Sequence, residues 1–203
     1  MAGMMLDRIH EALIRRRRAT MLGARLAREV PLGATILDVG AGDGAIARAA
    51  ASAANGRAVG LEVSRRAAAV VPLAVFDGVR LPARSRCIDC LLLVDVLHHA
   101  KAPWKLLEEC ARVTAGCIVI KDHLADAPLA RLRLRFMDGV GNDRFGVPSP
   151  GTYWTRAEWR ERFEAAGLRI EAWDERVDAL PLLLRPVFGW GLHFIARLVP
   201  EHA

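Results

Sequence analysis

The chain has 203 residues, enough to bury a core without metal or disulfide staples and consistent with a single domain. Hydrophobic residues make up 53% and charged residues 26%, which excludes a disordered chain, while the longest apolar runs, Leu91–Leu97 and Leu180–Leu184, fall far short of the roughly 20 residues that cross a bilayer. The net charge of +6 suits nucleic acid, an anionic membrane surface or an acidic substrate alike, and selects none of them.

Residues 4–28 carry Met5, Ile9, Leu13, Leu22 and Leu26 at helical spacing, which predicts an amphipathic helix with Arg15–Arg18 as a charge run. Asp7, Arg8, His10 and Glu11 interrupt any apolar core there, so no secretory leader is expected. After Pro31 the pattern alternates. Thr35–Val39 reads as a strand, Asp43–Ala54 as a helix, Ala58–Leu61 as a strand, Arg65–Val71 as a short helix and Leu73–Phe76 as a third strand. Cys87–Val94 is apolar throughout and predicts a central strand buried on both faces. Pro103–Val113 reads as a helix and Cys117–Ile120 as a fifth strand. Thr155-Arg156-Ala157-Glu158 is a capping box opening a helix that stops at Gly167. Leu168–Trp173 and Leu192–Leu198 read as the last two strands.

Two stretches break the rhythm: an insert at 122–154, with a helix expected near Leu129–Met137, and an apolar connection at 177–190. The expected fold is α/β: a Rossmann-like, doubly wound sheet of about seven strands, mostly parallel, with an antiparallel last strand and helices on both faces. One domain is expected over 1–203, with a helical lid at 1–30, a ligand-binding half at 31–122, and a substrate-side insert with the last strands at 123–203. Cys87, Cys90, Cys110 and Cys117 lie in or beside apolar segments, which points to a reducing compartment and a cytoplasmic location. Cys87-x-x-Cys90 has no second ligand pair at finger spacing, so no metal is expected there.

The run Ile36-Leu37-Asp38-Val39-Gly40-Ala41-Gly42-Asp43-Gly44 carries a strand into a glycine turn that opens a helix. Ligands of open parallel sheets sit at such a place, and a nucleotide-like ligand is expected beside Gly40–Gly44. Gly40-x-Gly42-x-x-Ala45 also satisfies the loose dinucleotide fingerprint, and Glu62 has the spacing of a ribose-binding acid. These residues leave NAD and S-adenosylmethionine both open. Asp38 can orient the loop or reach a ligand ammonium, and Asp77 is placed to accept from an adenine amino group. Asp43 reads as a helix-start acid favoured by the dipole.

Taken in order, Asp38, the glycines, Glu62, Asp77, Leu81-Pro82, Cys87-Ile88-Asp89-Cys90 and Asp95-Val96-Leu97-His98-His99 resemble the class I S-adenosylmethionine-dependent methyltransferases over roughly residues 34–122. Within that class the chain resembles the small-molecule group that includes ubiquinone and menaquinone biosynthesis enzymes. The resemblance implies S-adenosyl-L-methionine as cofactor, S-adenosyl-L-homocysteine as product, and no metal. It places Asp38, Gly40, Ala41, Gly42 and Gly44 along the methionine and ribose, Glu62 on the ribose diol and Val63 against the adenine. Asp77 and Gly78 would meet the adenine edge, and the Val94 backbone the methionine amino group. The candidates for acid–base work are His123, Asp122 and His99, with His98 beside them; Tyr153 and Trp154 are expected to line a pocket.

The expected function is methyl transfer to a small, apolar or aromatic metabolite or a lipid-like acceptor. The alternatives are an RNA methyltransferase, a non-catalytic cofactor-binding partner protein and an NAD-dependent oxidoreductase. Nucleic acid is disfavoured, because no RNA-binding appendage, Pro-Cys nucleophile or full Lys-Asp-Lys-Glu set is present. Leu180–Phe188 and the Arg-rich first helix are expected to flank the pocket mouth, with contact to an anionic membrane surface as one reading.

Overall fold

A strand in which every side chain is apolar must be covered on both faces. Cys90, Leu91, Leu92 and Leu93 meet that condition and are fully buried at the centre of the molecule. The computed structural model describes residues 16–142, 152–177 and 191–201, with the backbone alone over 138–142. Arg15, the start of the first helix and the Leu180–Phe188 connection lie outside the described residues.

The seven strands are β1 (Thr35–Val39), β2 (Arg57–Glu62), β3 (Leu73–Val75), β4 (Ile88–Val94), β5 (Thr114–His123), β6 (Leu168–Asp174) and β7 (His193–Pro200). They form one sheet in the order β3-β2-β1-β4-β5-β7-β6. Neighbours from β3 to β5 run parallel, while β7 is antiparallel to both β5 and β6. The chain winds outward from β1 to β3 and then returns to β4, so the strand order reverses between β1 and β4. Their carboxyl ends open a crevice there.

Alternation along the strands divides the core in two. Leu37, Val39, Leu91, Leu93, Ile118 and Ile120 face one side, under Leu107 and Cys110 of helix α3 (Pro103–Val113) and Trp159 and Phe163 of α5 (Arg156–Ala165). Ile36, Cys90, Leu92 and Val119 face the other, under Leu22 and Leu26 of α1 (16–26) and Ala47, Ala50 and Ala51 of α2 (Ala45–Ala53). Burial of each such Leu contributes about 1.5–3 kcal/mol. Helices α1 and α2 touch closely: a Cβ on Gly23 would lie 2.5 Å from the Ala49 Cβ. A fifth helix, α4 (Ala130–Asn142), belongs to the insert and rests through Ala130 and Leu134 on Tyr153 and Leu192.

Most expected elements are present, with informative differences. No helix forms at Arg65–Val71; the segment is turns and bends. Pro72 biases Val71 away from helical backbone, and the Val70 N–H is drawn to the Asp43 carbonyl at 2.8 Å. Helix α2 begins at Ala45 rather than Asp43, because Gly44 takes φ 78 as the cap. β5 is far longer than Cys117–Ile120, since β4 and β7 pair it on both sides. Helix α4 continues past Met137, and an unforeseen 3₁₀ turn covers Leu97–His99. The capping box at Thr155 and Glu158 is formed, and Gly167 has the left-handed φ of 68 that ends α5. Among the described residues no helix is long and apolar enough to cross a membrane.

Candidate active site

The glycine turn after β1 is built from within. Gly40, Gly42 and Gly44 have φ of 72, 59 and 78, which side chains rarely adopt. A Cβ on Gly40 would strike Val96 at 2.7 Å, whereas one on Gly42 would meet nothing within 4 Å, so the turn is packed at its base and open at its tip. Gly40 and Ala41 N–H groups donate to the Leu61 carbonyl, Gly44 N–H to Ala41, Gly42 N–H to Glu62 Oε2 at 2.9 Å and Ala45 N–H to Asp43 Oδ1 at 2.9 Å. These amides are therefore occupied. A dinucleotide pyrophosphate at this helix start would be repelled by the Asp43 carboxylate. A cationic, phosphate-free ligand meets no such obstacle.

Glu62 is buried at the end of β2. Its Oε1 accepts from the Val63 N–H at 2.8 Å, and Arg66 Nη2 lies 3.4 Å from Oε2. Carboxylate oxygens accept about two hydrogen bonds each, so Oε1 retains capacity toward a ribose hydroxyl. Asp38 is also buried, and among the described residues its Oδ1 has no hydrogen-bond partner. Burial, and secondarily the neighbouring Glu62 charge, push its pKa up to about 8. An acceptor left unsatisfied in this crevice fits a ligand ammonium. Val63, 57% exposed, stands within 3.2 Å of where a Cβ on Gly78 would sit. Asp77 is exposed beside them, and its Oδ1 accepts from the Val79 and Arg80 N–H groups. These bonds hold its pKa below the usual carboxylate value. Val94 closes the row at the end of β4. The expected cofactor residues thus line one edge of the sheet, and their polar groups suit S-adenosylmethionine.

A second polar cluster lies at the end of β5. Asp122 is buried; its Oδ1 lies 2.6 Å from His98 Nδ1 and 3.3 Å from His123 Nδ1. Its Oδ2 accepts from the Leu97 N–H at 3.1 Å, so the carboxylate also anchors the 3₁₀ turn. Burial opposes ionisation of Asp122, but the His98 charge and the bonds from both histidines outweigh it and keep the pKa well below the usual range. Burial lowers the His123 pKa against the pull of Asp122, leaving the ring neutral near pH 7. His99 sits beside His98, ring centroids 3.9 Å apart. Tyr153 faces His98 and His123 at 5.9 and 6.1 Å. Trp154, expected in the pocket wall, instead packs edge-on against Trp159 in the core.

Further charged and polar side chains join this cluster. Asp95, at φ 56, pairs with Lys121 Nζ and with Arg18 Nη2 at 2.7 Å, so one arginine of the charge run, itself still exposed, reaches Asp95. Burial would raise the Asp95 pKa, but Lys121, His123 and Arg18 hold it well below the usual value. His193 on β7 stands opposite His123 in the ladder, with its Nδ1 3.3 Å from Lys121 Nζ. Among the described residues, His98, Asp122 and His123 offer metal-type ligand atoms within 4.8 Å of one another. The 2.6 Å separation is that of a hydrogen bond between His98 and Asp122, and Lys121 adds a neighbouring positive charge. Cys87 is exposed while Cys90 is buried against Cys117, so this pair does not converge on a site.

A family model described as a methyltransferase domain matches residues 11–172. The chain belongs to this family. Its strand order and glycine turn are those of the class I S-adenosylmethionine-dependent methyltransferases. The methyltransferase fold recurs in a chain described as a methyltransferase and solved with the Trm112 methyltransferase activator of Haloferax volcanii, at 21% identity and TM-score 0.67, covering 97% of this chain and 96% of that one. An S-adenosylmethionine-dependent methyltransferase from Mesorhizobium loti aligns at 16% identity and TM-score 0.64, over 86% and 95% of the two chains. The cyclase SpnF aligns at 17% identity and TM-score 0.66, over 89% and 81%. No curated protein matches the chain.

Proposed function

We propose that this methyltransferase acts on a hydroxyl oxygen of a small aromatic or lipid-like acceptor, with His123 as general base. When bound, S-adenosylmethionine supplies a sulfonium methyl group already activated for displacement. Asp38 would meet the ammonium, with the Val94 backbone alongside. Gly40, Ala41, Gly42 and Gly44 would let the methionine and ribose approach the backbone. Glu62 would take the ribose diol, with Val63 on the adenine face and Asp77 and Gly78 at its edge.

The observation that carries the acceptor chemistry is the buried His123–Asp122 pair at the end of β5. A neutral imidazole steadied at Nδ1 by a carboxylate can take a hydroxyl proton at Nε2. The clustered His98, His123 and Tyr153 rings, with His98 stacked on Tyr153 and His123 edge-on to both, support a flat or apolar acceptor, as does the resemblance to quinone-biosynthesis methyltransferases.

The test uses S-adenosylmethionine carrying an isotope-labelled methyl group, incubated with a small-metabolite extract. The expected product shows a methyl carbon resonance of an O–CH₃ group; an N–CH₃ or C–CH₃ resonance would contradict the hydroxyl reading. His123→Gln should reduce turnover by about 100-fold or more without changing S-adenosylhomocysteine affinity. Since burial lowers the His123 pKa, turnover should be flat above pH 7 and fall only on acidification.

A further inference from the structure

Residues 76–87 join β3 to β4 without helix or strand, and this connection carries Asp77 and Gly78, the pair proposed for the adenine edge. Three consecutive amides within it are each taken by a carboxylate. Asp77 Oδ1 accepts from the Val79 and Arg80 N–H groups at 2.8 and 2.7 Å, so Oδ2 can serve an adenine amino group. The next amide, that of Leu81, donates instead to Glu109 Oε2 of helix α3 at 3.1 Å. The turn built on Asp77 thus ends where the hold of α3 begins.

Arg112, one turn further along α3, completes that hold. Its Nε and Nη2 donate to the two oxygens of Glu109 at 2.7 and 2.8 Å, the two-pronged geometry of a guanidinium on a carboxylate. Nη2 also reaches the Leu81 and Ala83 carbonyls at 3.3 and 3.1 Å, and Nη1 the Ser85 hydroxyl at 3.2 Å. The Leu81 side chain is buried in the core, which fixes its place. A buried side chain can still pivot about its own backbone. Bonds to both its N–H and its C=O set the direction in which the chain leaves toward Asp77.

We propose that Glu109 and Arg112 are positioning residues for the cofactor: from helix α3 they orient the connection so that Asp77 meets the adenine amino group. They act through Leu81 and its peptide bond to Arg80. Without them the cofactor itself must order the connection, and that loss of conformational freedom is subtracted from its affinity. The proposal rests on the S-adenosylmethionine reading of the crevice and is independent of the acceptor chemistry.

Calorimetric titration with S-adenosylhomocysteine, well below the melting temperature of each variant, tests it. Arg112→Gln should weaken binding about tenfold. Glu109→Gln keeps an acceptor for the Leu81 N–H but loses the charge that holds Arg112, and should weaken binding about threefold; it carries the test if Arg112→Gln does not fold. The coupling with Asp77→Asn separates positioning from general destabilisation. That variant retains Oδ1 for the Val79 and Arg80 amides but turns a side-chain NH₂ toward the adenine amino group. In its background, Arg112→Gln and Glu109→Gln should each change affinity by less than about twofold. Wild-type affinity in the folded single variants, or the same loss with and without Asp77→Asn, would overturn the proposal while leaving the cofactor reading intact. Wild-type protein that binds no S-adenosylhomocysteine would overturn the cofactor reading and the proposal together.

Discussion

Asp38 combines a charge-bearing group with a place where charge is costly. Its pKa of about 8 means that between about pH 4 and 8 the folded chain keeps a proton that the unfolded chain releases. The contribution of Asp38 to stability is therefore complete in acid and is lost as pH rises, at up to about 1.4 kcal/mol per pH unit. Asp38→Asn should remove that slope: urea midpoints of variant and wild type should agree below about pH 4, where Asp38 is protonated in both states, and diverge as pH rises, with the variant more stable at pH 8. Parallel profiles would contradict the unsatisfied-acceptor assignment. The sequence showed where Asp38 stands but not this energetic state, which arises from the burial of Oδ1 and the closeness of Glu62. His193 was hidden for a related reason. Nothing in Gly191-Leu192-His193 marks a site, and only the antiparallel register of β5 and β7 sets this ring opposite His123.

At the scale of elements, the central strands were legible because their apolar runs have no other stable placement. The capping box and Gly167 likewise fixed α5 through local backbone chemistry alone. Arg65–Val71 misled because its alanines favour helix, while the constraints that override them, Pro72 and the bond from Val70 to Asp43, act from its end and from across the crevice. Arg18 belongs to a run that reads as a solvated face, and only the seating of α1 on α2 brings it to Asp95. That seating depends on Gly23. Gly23→Leu should push α1 away from Ala49, lower stability by about 1–3 kcal/mol and break the Arg18–Asp95 pair. The melting temperature checks this, and an unchanged value would show that α1 does not rest where the structure places it.

For the whole molecule, the sheet order brings together residues separated by more than a hundred positions, from Arg18 to His193, along the carboxyl ends of the strands. The glycine turn alone left two cofactors open. The Asp43 carboxylate in that turn favours the one without phosphates, since it would repel a pyrophosphate at the helix start. The central claim is that this crevice holds S-adenosylmethionine with Glu62 on the ribose. Calorimetric titration with S-adenosylhomocysteine, with NADH, and with Glu62→Ala tests it most directly. The account predicts micromolar binding of S-adenosylhomocysteine, none of NADH, and at least tenfold weaker binding by Glu62→Ala, a loss of about 1.4 kcal/mol or more. Wild-type protein that binds no S-adenosylhomocysteine, or a Glu62→Ala variant that binds it equally well, would contradict the claim.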